Sequence, residues 1–153
     1  MGWSGIWLVH VPDDVTPQQA IDATIEGWFA NPNVPGSHLM AVPDPVKITE
    51  DPQWGMKVRN AVLSVNPNLR PTNHGYLDDG IGPVVIYIYS DQAQVLPKKQ
   101  WTEPDDMDGF AVMWGYCVKV AERTGCVAHD PDFDEVIDLS LDVETARDFY
   151  LWV

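Results

Sequence analysis

Residues 83–91 read PVVIYIYSD, and from Val84 to Tyr89 every side chain is β-branched or aromatic. Such a run favours extended backbone, because these side chains lose rotamer freedom in a helix and pack well on a pleated surface. It also lacks the apolar–polar alternation of a strand that faces water on one side. The expectation is therefore a central strand covered on both faces. A chain organised around such a strand must supply elements to cover it.

The flanking sequence supplies them. Residues 3–11 (WSGIWLVHV) read as a first strand. Thr16-Pro17 is a helix start, a hydroxyl cap followed by proline where no amide hydrogen is needed. A helix from there to about Ala30 sets Ile21, Ile25, Trp28 and Phe29 on one face. The prolines and glycine of NPNVPGS (31–37) end it, and HLMAV (38–42) reads as a short strand. Thr49 or Asp51, with Pro52, opens a second helix on which Trp54, Val58, Ala61, Val62 and Val65 recur at helical spacing. Residues 66–82 have turn chemistry throughout, and 92–106 read as irregular.

The longest helix spans about 106–124, with Phe110, Met113, Trp114, Cys117, Val120 and Ala121 as its apolar stripe and Gly125 as its stop. Residues 126–130 and 135–139 read as a hairpin around PDFD, and 142–152 as a short closing helix. The order of elements predicts an α+β fold, a two-layer sandwich with a mixed sheet and helices packed on one face of it. No repeat or linker divides the chain, so residues 1–153 are expected to form a single α/β domain.

With 45% hydrophobic and 21% charged residues, the composition is that of a globular protein and excludes a disordered or fibrous one. Cys117 and Cys126 make no C-x-x-C pair and are expected to be buried, inert thiols. Residues 1–12 carry no Lys or Arg and are broken by Pro12 and Asp13, unlike a secretory leader. No apolar stretch approaches the roughly 18–20 residues of a membrane span. The expectation is a soluble, cytoplasmic protein.

Charge is the unusual quantity. Nine Lys and Arg stand against 23 Asp and Glu, a net −14. Such a chain is a poor match for nucleic acid or an anionic membrane, and a good one for a protein with a basic surface. The excess is uneven: residues 1–100 hold 10 acids and 6 bases, whereas residues 101–153 hold 13 acids and 3 bases. EPDDMD (103–108) and DPDFDEVID (130–138) supply most of it. The first block partly suits the positive end of a helix dipole; the second has no such reason. Asp105, Asp106, Asp108, Asp130, Asp132, Asp134 and Glu135, with Trp101 beside the first block, are therefore the candidate partner-binding residues. An acidic face speeds capture of a basic partner, and tryptophan is a common anchor.

Other chemistry is poorly supported. Asp130, Asp132 and Asp134 alternate like the opening of a calcium loop, but Glu135 and Leu141 stand where that loop needs glycine and a bidentate glutamate. An acidic hairpin turn explains them better. His10, His38, His74 and His129 lack metal-ligand spacing. His74 shares the 66–82 loop with Asp78 and Asp79, where a catalytic pair could form, yet no nucleophile signature accompanies it. GYLDDGIG (75–82) is no phosphate cradle. No catalytic residue, metal or cofactor is expected. Of seven tryptophans, Trp28, Trp54 and Trp114 fall on apolar helix faces. Trp3, Trp7, Trp101 and Trp152 lie near termini or loops, open to edge packing or to contact with a partner.

Residues 110–137, FAVMWGYCVKVAERTGCVAHDPDFDEVI, resemble the C-terminal signature of small acidic bacterial proteins: an apolar helix, then A-x-x-x-G-L-V-x-Y-D-P-Q, then a short strand. Ala121, Gly125, Val127, Asp130 and Pro131 match it. Cys126, His129 and Asp132 replace the usual leucine, aromatic residue and glutamine. These proteins include many uncharacterised members and some immunity proteins of polymorphic toxin systems, and the resemblance offers no catalytic residues to carry over. The resemblance implies an inhibitor that neutralises a bacterial toxin by binding it. The alternatives are a phage- or plasmid-type inhibitor that mimics nucleic-acid charge, and a small enzyme working through the 66–82 loop.

Overall fold

The computed structural model describes residues 5–30, 52–99, 107–131 and 135–151. The strand expected at 38–42 lies outside the described residues. Among the described residues seven strands form one sheet: β1 (Ile6–Val9), β2 (Arg70–Pro71), β3 (Leu77–Asp78), β4 (Val84–Ile88), β5 (Gln92–Pro97), β6 (Val127–Asp130) and β7 (Glu135–Ile137). The helices are α1 (Pro17–Ala30), α2 (Pro52–Val65), α3 (Met107–Thr124) and α4 (Val143–Ala146), the last running into a π-helical turn, Arg147–Leu151. The α+β sandwich expected from the element order is present.

The sheet runs β2-β3-β4-β5-β1-β6-β7, and every described neighbour pair is antiparallel, not mixed as expected. The reason is connectivity. β2 to β5 follow one another through short turns, which can join only antiparallel neighbours. β1 then enters between β5 and β6, pairing Leu8 with Ala93 on one side and with Ala128 on the other.

Strand alternation divides the side chains between two faces. Ile6, Leu8, Ile86, Ala93, Val95, Ala128 and Ile137 share the face that packs on Val58 and Val62 of α2 and on Phe110, Met113 and Cys117 of α3. Val9 points to the opposite face and meets Ala20 and Ile21 of α1. Helices therefore lie on both faces, not on one.

Local signals set the helix ends. Thr16 Oγ1 accepts from the Gln19 amide at 3.2 Å while Gln19 Oε1 accepts from the Thr16 amide at 3.0 Å, a reciprocal capping box. Gly125 takes a positive φ of 68° and its amide closes α3 on Ala121 at 2.8 Å. Asp142 caps α4, accepting from the Thr145 amide at 2.8 Å. Gly5 is sterically required: a Cβ there would lie 2.6 Å from the Val95 carbonyl oxygen.

Two expectations along the chain change. β5 lies within 92–106, read as irregular. Its Gln92 and Gln94 alternate with Ala93 and Val95, a strand period whose polar half is buried because Gln94 Nε2 donates to Gln92 Oε1 at 2.9 Å. β4 buries Val84 and Ile86 but leaves Val85 and Tyr87 half-exposed. Its other face is flanked by its own rings: Tyr87 contacts Tyr76 and Tyr89 with centroids 5.3 and 6.3 Å away. The apolar run reflects aromatic neighbours along the sheet.

Candidate functional site

Of the candidate partner-binding residues, Asp108 and Glu135 are exposed, the first in the opening turn of α3 and the second at the start of β7. Asp130 is corrected: at 3% exposure it is buried and offers no surface charge. β6 extends through it, and the two-residue period turns Ala128 and Asp130 to the helix-covered face. Trp101, Asp105, Asp106, Asp132 and Asp134 lie outside the described residues.

The structure adds acids that were not among the candidate partner-binding residues. From β7 to the π-helical turn, Asp138, Asp142, Glu144 and Asp148 join Glu135 at the surface. Val136 and Phe149 stand among them, 53% and 59% exposed. Two of these carboxylates also hold the backbone. Asp138 accepts from the Ser140 hydroxyl at 2.6 Å and the Ser140 amide at 3.0 Å, which lowers its pKa. The Thr145 amide and then its hydroxyl do the same for Asp142. The segment is fastened from beneath by apolar contacts. Trp114, 4% exposed, stacks on Phe110, meets the Tyr150 ring at 6.1 Å and donates its indole N–H to the Leu141 carbonyl at 3.2 Å. The Tyr150 hydroxyl accepts from the Asp138 amide at 2.9 Å.

The 66–82 loop is built differently. It contains the small hairpin of β2 and β3, and its acids are engaged within the protein. Lys98 Nζ sits 2.8 Å from Asp78 Oδ1, and this bond, followed by the Gly80 amide, holds the Asp78 carboxyl below its usual range. Asp79 Oδ1 accepts from the Gly82 amide at 2.6 Å and the Ile81 amide at 3.0 Å. Its Oδ2 accepts from Asn66 Nδ2 at 2.9 Å, and the same nitrogen donates to Tyr116 Oη at 3.1 Å. The Gly82 amide is the main reason the Asp79 pKa falls, while burial raises that of Tyr116. His74 does not join these carboxylates; its ring stacks on Tyr76 at 5.8 Å and its amide donates to Thr72 Oγ1. The sequence signal for this cluster was only the Asp78-Asp79 pair, because Asn66 and Tyr116 come from distant positions.

Beside this cluster is a cleft of about 370 Å³ between the end of α2, the loop and α3. Asp79, Tyr116, Val65, Val112 and Gly115 are among the residues that line it, and none of the described lining residues has a cationic side chain. A second cleft, of about 340 Å³, lies between α2 and the β2–β3 hairpin and is lined in part by Arg59 and Met56.

The remaining candidates are structural. Burial pushes the Cys117 thiol far up and raises Cys126, so neither favours the thiolate. Trp54 and Trp114 are core residues as expected, and Trp7 sits half-buried on the central strand β1. His129 is buried on β6. Among the described residues, no three His, Cys, Asp or Glu side chains gather to hold a metal ion, and no helix is long and apolar enough to cross a membrane. Comparison with family models, curated proteins and solved structures finds no match to this chain.

Proposed function

We propose that this chain is a cytoplasmic inhibitor that binds a basic protein partner, most specifically an immunity protein that neutralises a bacterial toxin. The observation that carries the reading is the outward display of acids in the last third of the chain. Asp108, Glu122, Glu135, Asp138, Asp142, Glu144 and Asp148 are all exposed there, and Lys119, Arg123 and Arg147 are the bases among the same described residues. Val136 and Phe149 supply apolar contact within that surface. Charge of one sign gives speed and selectivity in capturing a basic partner, and the apolar side chains supply affinity. The likeness of residues 110–137 to the signature of small acidic bacterial proteins supports the immunity form of the reading.

The test is capture on the immobilised chain over a salt series, followed by assay of the captured protein with and without added chain. The expected result is one stoichiometric basic partner, released by salt and inhibited on re-addition. Reversing Glu135, Glu144 and Asp148 to Lys together slows association by roughly tenfold at low ionic strength. A partner whose activity is untouched, or a reversal variant that associates as fast as wild type, overturns the reading. Competition with DNA for one site on the partner instead identifies a nucleic-acid mimic.

A further inference from the structure

The cleft beside Asp79 has three features that the fold itself does not require. The first is Gly115. It lies inside the 18-residue helix α3, where glycine is less favourable than alanine because it has more backbone freedom to lose. Among the described residues a Cβ there would meet nothing within 4 Å, so no packing contact with them demands glycine. What glycine does is leave the cleft open.

The second is the arrangement of acceptors. Asp79 Oδ1 already takes two amide hydrogens, but Oδ2 takes only one, from Asn66, and Tyr116 Oη accepts from that same nitrogen. Oδ2 therefore keeps a lone pair for a further donor, whereas the phenol oxygen, once it has accepted, does not. Asn66 Nδ2, within 3.1 Å of both, ties the carboxylate to the phenol at the wall of the cleft.

The third is the rim. Val65 and Val112 are 43% and 38% exposed, and Ile81, next to the cleft residue Gly82, is 93% exposed. Asp108 falls on the same stripe of α3 as Val112 and Gly115, one and two turns away. Apolar walls, a carboxylate end and an acidic approach match a side chain with a long apolar stem and a cationic tip. Among such side chains a guanidinium is the more weakly hydrated, so it loses least on entering an apolar-walled cleft. The volume lies at the small end of the range for binding pockets, enough for one extended side chain.

We propose that this cleft receives an arginine side chain of the protein partner, with Asp79 Oδ2 accepting from its guanidinium and Val65 and Val112 flanking its methylenes. This rests on the reading of the chain as a binder of a basic protein, and it names a point of attachment within that interaction.

The test uses the full ¹⁵N-labelled chain and n-butylguanidinium as probe, followed by the amide resonances of Gly82, Gly115 and Tyr116. Saturable shifts confined to these and neighbouring amides are expected. n-Butylurea, of the same shape without the charge, and n-butylammonium should each bind roughly tenfold more weakly. Asp79→Asn keeps a carbonyl oxygen for the loop amides and should weaken the guanidinium about tenfold. Gly115→Leu, which fills open space and improves the helix, should abolish the shifts while leaving the thermal midpoint unchanged or higher. Equal binding of butylurea, tighter binding of butylammonium, shifts elsewhere on the protein, or indifference to both substitutions overturns the assignment. Failure of the probe leaves the capture experiment above unaffected. Conversely, guanidinium binding with no basic partner captured keeps the cleft and removes the inhibitor reading.

Discussion

Asp78 and Asp79 turn their carboxylates toward the protein, whereas Glu135, Asp138, Asp142, Glu144 and Asp148 turn theirs to solvent. The loop around Asp79 is fastened by polar bonds: two amides and an amide side chain on one carboxylate, and an ammonium on its neighbour. The segment after β7 is fastened chiefly by rings, with Trp114 beneath Tyr150 and Leu141. Acid density in a sequence therefore has two meanings here. In the loop it is internal structure; in the C-terminal segment it is surface available to a partner, even where Asp138 and Asp142 also cap turns.

Substitutions can break each half of that contrast. The largest effect is expected at Trp114→Ala, which removes the ring under the C-terminal segment and its bond to Leu141, costing about 3–5 kcal/mol. Urea unfolding measures the loss, and hydrogen exchange should show the amides of 138–150 opening first; uniform loss of protection would mean the segment is not separately anchored. Asp79→Ala comes next, at about 1–3 kcal/mol, because the Ile81 and Gly82 amides and Asn66 lose their acceptor. Here exchange should rise at Ile81 and Gly82 and stay unchanged beyond Glu135.

Acid sharpens the same point. Asp79, with its pKa depressed chiefly by the Gly82 amide, contributes stability that is present above the unfolded carboxylate pKa and lost as pH falls through the lower folded value. The difference in urea midpoint between wild type and Asp79→Asn should hold steady from pH 7 to about 5 and narrow below about pH 4. A difference that persists unchanged in strong acid would show that the charge of Asp79 is not what holds the loop. The smallest effect on folding is expected from reversing Glu135, Glu144 and Asp148, which should leave the urea midpoint nearly where it was. The same variant should change partner association the most.

Much of the fold was legible in the sequence because its signals are local. The Thr16-Pro17 start, the stripe from Phe110 to Val120 and the Gly125 stop each depend on a few residues within one or two turns. β5 was not legible, since alternating glutamines read as a polar stretch until a neighbouring strand buries them and they bond to each other. Asp130 reads as part of an acidic block and is expected at the surface, but the two-residue period it shares with Ala128 on β6 turns it inward. At the candidate site, Asp108 and Glu135 were legible as exposed acids. The Asp79 cluster was not, because Asn66 and Tyr116 are 50 positions apart in the chain.

The sequence by itself determined the acidity of the last third, the helices and their caps, and the α+β class, since charge, periodicity and capping are properties of neighbouring residues. Tertiary structure alone decided that β1 enters between β5 and β6 of an antiparallel sheet, which acids face water, and that Asp79, Asn66 and Tyr116 meet beside an open glycine. Strand register and helix packing make those choices, because they determine which side chains distant in the chain share a face and which lose contact with solvent.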